Sequence, residues 1–111
     1  GFFEVADLSG ANLSDTLLTD GSFTHASFEG ADLTNANFSR SILQGVGLNN
    51  ANLTNTIFID AVMSSACDTC GSAKLTEATI QNTNFTNADL IGVDLTGLDL
   101  STAVLDGATF E

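Results

Sequence analysis

An apolar residue returns at every fifth position through almost the whole chain. These centres are Phe3, Leu8, Leu13, Leu18, Phe23, Phe28, Leu33, Phe38, Leu43, Leu48, Leu53, Phe58 and Met63. After a slip of two they resume at Leu75, Ile80, Phe85, Leu90, Leu95, Leu100, Leu105 and Phe110. A helix repeats its apolar positions at about 3.6 residues and a strand at 2. Spacing of five fits neither: a helix would spread the centres around its circumference, and a strand would alternate them between faces. The spacing works if the backbone turns a corner every five residues, with each centre pointing inward. Four such sides close a square coil of 20 residues, and stacked coils pair at the strand spacing of about 4.8 Å.

The other slots agree. A small residue, mostly Ala, stands two before most centres, as in Ala11-Asn12-Leu13, Ala31-Asp32-Leu33 and Ala88-Asp89-Leu90. Turn formers crowd the last slot of the unit, among them Gly10, Asp15, Asp20, Gly30, Asn35, Asn55 and Gly97. Ser and Thr dominate just after the centre, where hydroxyls can satisfy local backbone groups. Tandem Ala-(Asp/Asn)-Leu-x-x resembles the pentapeptide-repeat family over the whole chain. The resemblance implies an all-β fold, a right-handed quadrilateral parallel β-helix, and is nearly silent on function. Some members of that family resemble the DNA duplex and protect DNA gyrase; others are exported proteins without established activity. The departures are Val46, Val93 and Leu98, which occupy small-residue slots.

One domain spans 1–111. The units give 22 sides, or about five and a half coils, roughly 26 Å long at strand spacing. On this count side one stacks Phe3, Phe23, Leu43, Met63, Phe85 and Leu105, and side three stacks Leu13, Leu33, Leu53, Leu75 and Leu95. Side four stacks Leu18, Phe38, Phe58, Ile80 and Leu100. The seven-residue unit 66–72 keeps this register if a bulge near 67–70 turns Cys70 inward, on side two with Leu8, Phe28, Leu48, Leu90 and Phe110. Cys67 and Cys70 are then a candidate disulfide clamping the bulge, or two free thiols with one buried. A redox Cys-x-x-Cys needs a strand-to-helix setting, and a zinc site needs two further ligands. His25 falls at a corner slot as a solvated turn residue. Neither a catalytic triad nor a phosphate loop is present, so the expectation is a non-enzyme without cofactor, metal or small-molecule substrate.

Fourteen acids face two bases, Arg40 and Lys74, for a net charge of −12. Such a chain is not expected to bind nucleic acid directly, and no apolar run approaches the ~18 residues of a membrane span. By the count above, side two carries Asp7, Glu29, Asp68, Asp89 and Glu111, side three Asp15, Asp32, Glu77 and Asp94, side four Asp20, Asp60 and Asp99, and side one Glu4 and Asp106. Residues 33–59 hold no acid. That gap weakens DNA mimicry, which needs continuous negative charge. Within or beside it lie four apolar residues at outward slots: Ile42 and Val62 on side one, Ile57 and Ile59 on side four. Phe2 and Val104 extend the side-one column, and Ile91 falls on side two. Ile42, Ile57, Ile59 and Val62 form the candidate protein-contact patch. The open ends of the coil call for caps trimmed away or for packing on another copy.

The sequence thus points to a non-catalytic scaffold or interaction module with a protein partner or a second copy. The alternative is a DNA-mimic inhibitor or protector of an enzyme such as DNA gyrase. An exported compartment, thylakoid lumen or periplasm, is favoured over the cytoplasm, since a disulfide implies oxidising surroundings. Unalkylated protein made under oxidising conditions is expected to show, by non-reducing mass spectrometry, the mass of the Cys67–Cys70 disulfide; two free thiols would remove it.

Overall fold

The computed structural model describes residues 5–65 and 71–110. Within them the chain winds through four columns of parallel bridges. Side one pairs Ser22, Ile42, Val62, Asp89 and Thr109 in succession, and side two pairs Asp7, Ser27, Gly47, Lys74 and Asp94. Side three pairs Asn12, Asp32, Asn52 and Thr79, and side four pairs Leu17, Asn37, Ile57, Asn84 and Val104. Each bridge falls on the residue before a centre. Pairing therefore passes through single residues and not through continuous strands, because a corner follows two residues later.

The corners are left-handed. Twelve non-glycine residues have φ between 56° and 62°, and eight of them are Asn or Asp. In most of these turns the small residue of the next unit returns its N–H to the preceding centre, as Ala36 does to the Leu33 carbonyl at 2.9 Å. A type II turn requires φ above zero at its third residue, which Gly, Asn and Asp tolerate best. Val5, His25, Arg40 and Glu77 take the same conformation without that advantage. Neighbouring coils hold three of them there: the corner amide of Arg40 donates to the Ile59 carbonyl at 2.8 Å, that of His25 to Gln44 at 3.0 Å and that of Val5 to Thr24 at 3.0 Å.

The centres fill the interior. Phe23, Phe28, Phe38, Phe58 and Phe85 are all buried, with Leu33, Leu43, Leu48, Leu53, Met63, Leu75 and Leu90. Phe38 and Phe58 stack with ring centroids 5.3 Å apart, and Phe58 stacks on Phe85 at the same distance. Phe23, Phe28 and Phe38 meet edge to face. The ring of Phe23 occupies the space beside Gly21, where a Cβ would stand 2.6 Å from it. Some small slots hold hydroxyls instead of Ala. The buried Thr56 and Thr83 donate to the Leu33 and Leu53 carbonyls at 2.8 and 2.7 Å, and Ser41 to Phe38 at 2.5 Å. None is left unpaired, which burial would make costly.

The stacking corrects the register expected beyond the insertion. Gly47 pairs with Lys74, Asn52 with Thr79, Ile57 with Asn84 and Val62 with Asp89, an offset of 27 residues where the simple count of sides puts 22. The seven extra residues therefore supply no side. Leu75 fills the place beneath Leu48 that was expected for Cys70, Phe85 lies under Phe58, and Leu90 lies under Met63. Among the described residues three columns pair five layers and column three pairs four, and the place that the simple count of sides gave to Cys70 is taken by Leu75. The physical reason is that a five-residue side and a whole extra loop restore the inward phase equally well. The observed register also keeps a Phe under a Phe. Cys67, Cys70 and the bulge near 67–70 lie outside the described residues.

Phe58 sits between two stacked rings, so its truncation leaves a cavity that the coil cannot close. Phe58→Ala is expected to lower stability by about 3–5 kcal/mol in urea melts. A loss below about 1 kcal/mol would mean that Phe58 is not packed between Phe38 and Phe85.

Candidate interaction surface

Each side shows solvent two residues, one before and one after the centre. These are coupled by a recurring hydrogen bond. The Oδ1 of Asn or Asp before the centre accepts from the N–H, and often the hydroxyl, of Ser or Thr after it. Thr34 donates to Asp32 at 3.1 Å from nitrogen and 2.6 Å from oxygen, and Thr54 donates to Asn52 at 3.1 and 2.7 Å. Ser39 with Asn37 and Thr86 with Asn84 repeat the pattern. The hydroxyls expected to serve the backbone thus mostly serve the side chain across the centre. On carboxylates the bond favours the charged form: the Ser9, Thr34, Thr96 and Ser101 hydroxyls hold Asp7, Asp32, Asp94 and Asp99 below the ordinary value of 3.8.

The corrected register moves the charges. Asp89 lies on side one, Glu77 and Asp94 on side two, Asp99 on side three and Asp106 on side four. Among the described residues no single outward slot carries carboxylates in two adjacent coils, although Asp7 and Glu29, Asp15 and Asp32, and Glu77 and Asp94 lie in adjacent coils at different slots of one side. Asp7 stands over Ser27, Asp32 between Asn12 and Asn52, and Asp20 and Asp60 are separated by Arg40. Like charges one strand spacing apart would repel by about 1 kcal/mol even in water, and neutral Asn or Ser in alternate layers avoids this. Asn35 uses such a position to donate to Asp15 at 2.9 Å.

The same correction gathers the outward apolar residues. Val104 belongs to side four and not to side one, and Ile91 follows Leu90 onto side one and not side two. Side four then carries Leu17, Ile57, Ile59 and Val104, and side one Ile42, Val62 and Ile91. Sides two and three carry none among the described residues. Leu17 is 72% exposed and Ile42 42%, whereas Ile57, Ile59 and Val62 are half-buried against their neighbours. Leu17 was missed by the sequence reading, although its apolar side chain at an outward slot was the available signal.

The candidate patch is not one sheet of apolar surface. Ile42 and Val62 pair directly on side one. Ile57 and Ile59 flank Phe58 on side four. Between the pairs runs the corner with Asp20, Arg40 and Asp60. The guanidinium of Arg40 clasps Asp20 through Nε at 2.9 Å and Nη2 at 3.1 Å. This pair holds the Asp20 carboxyl low and raises Arg40, with Asp60 adding to the latter. The stretch that is free of acid in sequence is thus flanked by acids in space. His25 stands exposed at a left-handed corner. Among the described residues no group of three His, Cys, Asp or Glu side chains is gathered to hold a metal.

Residues 6–45 and 70–111 match the family described as Pentapeptide repeats, in eight copies. In structure the chain is similar to HetL, a pentapeptide repeat protein involved in heterocyst differentiation regulation in the cyanobacterium Nostoc. The likeness has 27% identity and a TM-score of 0.71 over 92% of this chain and 48% of HetL. It is also similar to a trypsin-treated form of QnrB1, a plasmid-mediated fluoroquinolone resistance protein. There the identity is 19% and the TM-score 0.58, over 95% of this chain and 60% of that one. The chain thus spans about half the length of HetL. No curated protein matches it in sequence.

The hydrogen-bonded carboxyls set a pH dependence. Each binds its proton more weakly in the folded chain than in the unfolded one. Their contribution is therefore complete above the unfolded value and is lost as pH falls through the lower folded values. Asp32→Asn keeps the Oδ1 acceptor, as Asn52 does in the next coil, and removes the titration. Urea midpoints are expected to change little at neutral pH and to fall less steeply than in the wild type below pH 3.8. Identical acid limbs would show that the Thr34 bond does not distinguish the charged form.

Proposed function

This chain belongs to the pentapeptide-repeat family, and we propose that it is a non-catalytic interaction module, a right-handed quadrilateral β-helix that binds protein across its first and fourth sides. The observation that carries this reading is segregation. All seven outward apolar residues of the described bridging and following slots fall on two adjacent sides. Strand propensity alone favours Ile and Val on any side and would scatter them over four. An exposed apolar patch is a common mark of a partner site. Here Ile42 and Ile57 supply apolar contact, and the Arg40–Asp20 pair at the corner between them supplies a polar element of fixed geometry. HetL, with its role in regulating differentiation, supports a function exercised by contact rather than by chemistry.

The alternative, mimicry of DNA to inhibit or protect an enzyme such as gyrase, draws support from the likeness to QnrB1, which reaches only the fold. A duplex mimic needs carboxylates following one another at short intervals along a face. Neutral layers between the carboxylates of each outward slot speak against it, as does Arg40 between Asp20 and Asp60.

A test has to spare the fold. Ile57→Asn suits its column, whose neighbours Asn37 and Asn84 already occupy that slot, and Ile42→Asp places a charge at an exposed position. The double variant is expected to lose self-association in sedimentation and to lose the partner captured by the wild type, with an unchanged urea midpoint. Asp32→Asn on side three is expected to retain both. If the double variant associates and captures as the wild type does, the contact surface lies elsewhere.

A further inference from the structure

The last described coil keeps its full backbone ladder to the body on two sides only. On sides four and one its ladder is complete. Phe85 donates to the Val104 carbonyl at 2.7 Å, Asn87 to Asp106 at 2.8 Å and Leu90 to Thr109 at 3.0 Å, while Val104 and Thr109 donate back to Thr83 and Ala88. On sides two and three the equivalent amides of Leu75, Glu77 and Ile80 make no such bond, although Leu48, Asn50 and Leu53 one coil earlier all do. The Lys74–Asp94 bridge persists, but the bridge from Thr79 to Asp99 is missing, so column three ends one layer before the others. A cavity of about 300 Å³ opens there, lined by Ala78, Thr79, Ile80, Gln81, Asp99 and Thr102. The corner amide of Asn82 takes the Thr102 hydroxyl at 2.9 Å in place of a backbone carbonyl. The parted segment keeps its own turns: Val93, Leu98 and Ala103 donate to Leu90, Leu95 and Leu100 at 3.0, 3.2 and 3.1 Å.

The sequence supplies a cause. The small slots of column three are Ala11, Ala31, Ala51 and Ala78, and then Leu98. Three more heavy atoms cannot enter a slot shaped for a methyl group without pushing the coils apart. A β-branched residue alone does not do this. Val46 in column two is fully buried with intact bonds on both sides, Phe28 to Gly47 and Leu48 to Lys74 at 2.7 Å. Thr102 adds to the effect, since it is a corner residue outside the left-handed region that the other corners use.

We propose that residues 93–102 form a hinged flap, wedged by Leu98, that opens from the body about the intact ladder of sides four and one. Opening uncovers the edge from Leu75 to Asn82, a row of backbone donors and acceptors ready to pair with another strand. Closure rests on the Thr102 hydroxyl and on the partly buried Leu95 and Leu100. The flap lies on the two polar sides, so it is independent of the contact surface proposed above.

Native-state hydrogen exchange on the 111-residue chain tests this directly. Ile80 and Phe85 are both buried centres of one coil. The Leu75, Glu77 and Ile80 amides are nevertheless expected to exchange at least about tenfold faster than those of Phe85, Asn87 and Leu90. Leu98→Ala, which restores the residue of the repeat, is expected to slow Ile80 by about tenfold and leave Phe85 unchanged. Thr102→Val is expected to speed Asn82 without altering Phe85. Equal protection of Ile80 and Phe85 in the wild type would overturn the flap, and an Ile80 rate indifferent to Leu98→Ala would overturn the wedge.

Discussion

Everything in this molecule depends on a left-handed corner at every fifth residue. One positive-φ residue closes a turn between a centre and the next small residue, and that turn sets the direction of each side. Its cost for an L residue is on the order of 1–2 kcal/mol. It is offset in two ways: by choosing Gly, Asn or Asp, and by bonding the corner amide to the coil below. Arg40 and His25 show that the second can suffice. Because the corner recurs, the backbone never runs straight long enough to make a conventional strand, and its pairing is reduced to single bridges repeated along four columns.

The corners fix where centres point, and the core then decides which centre lies on which. Aromatic stacking of Phe38, Phe58 and Phe85 crosses the coil from which the insertion departs. That column would be interrupted if the seven extra residues supplied a side. Ile80 and not Phe85 would then lie beneath Phe58, and the stack of rings would end there. Packing therefore resolves what the periodicity leaves degenerate. The same reasoning explains the opposite outcome at Leu98. There the backbone bonds between the two coils are missing on the side of Leu98, so the oversized residue has moved the backbone instead of being compressed.

Surface chemistry follows the columns as well. Outward slots on sides two and three hold Asn, Asp, Ser, Thr and other polar residues, many of them paired across the centre, with no slot carrying carboxylates in adjacent layers among the described residues. Sides four and one break the polar rule with Ile and Leu. A face that gives up its side-chain bonds for apolar groups loses nothing in the ladder, since backbone bridges continue through Ile42, Ile57 and Val62. It gains surface that water solvates poorly. This is why the two halves of the coil differ in character although they share one fold.

The sequence by itself determined the inward residues, the corners and the four-sided coil, because spacing of five admits one way of burying a centre from every unit. It also marked Ile42, Ile57, Ile59 and Val62 as misfits to a polar pattern, and Val93 and Leu98 as misfits to a small one. It could not determine the stacking partners beyond residue 65, since adding or ejecting a side leaves the local pattern unchanged. That choice moved Ile91 and Val104 to other faces and so made an apolar half and a polar half out of what the sequence spread more widely. Tertiary structure alone also placed Arg40 against Asp20 and Asp60, which sit 20 residues to either side in sequence. The parting at Leu98 was equally out of reach: whether an oversized residue is absorbed, like Val46, or forces its coil away depends on its size against the packing around its slot.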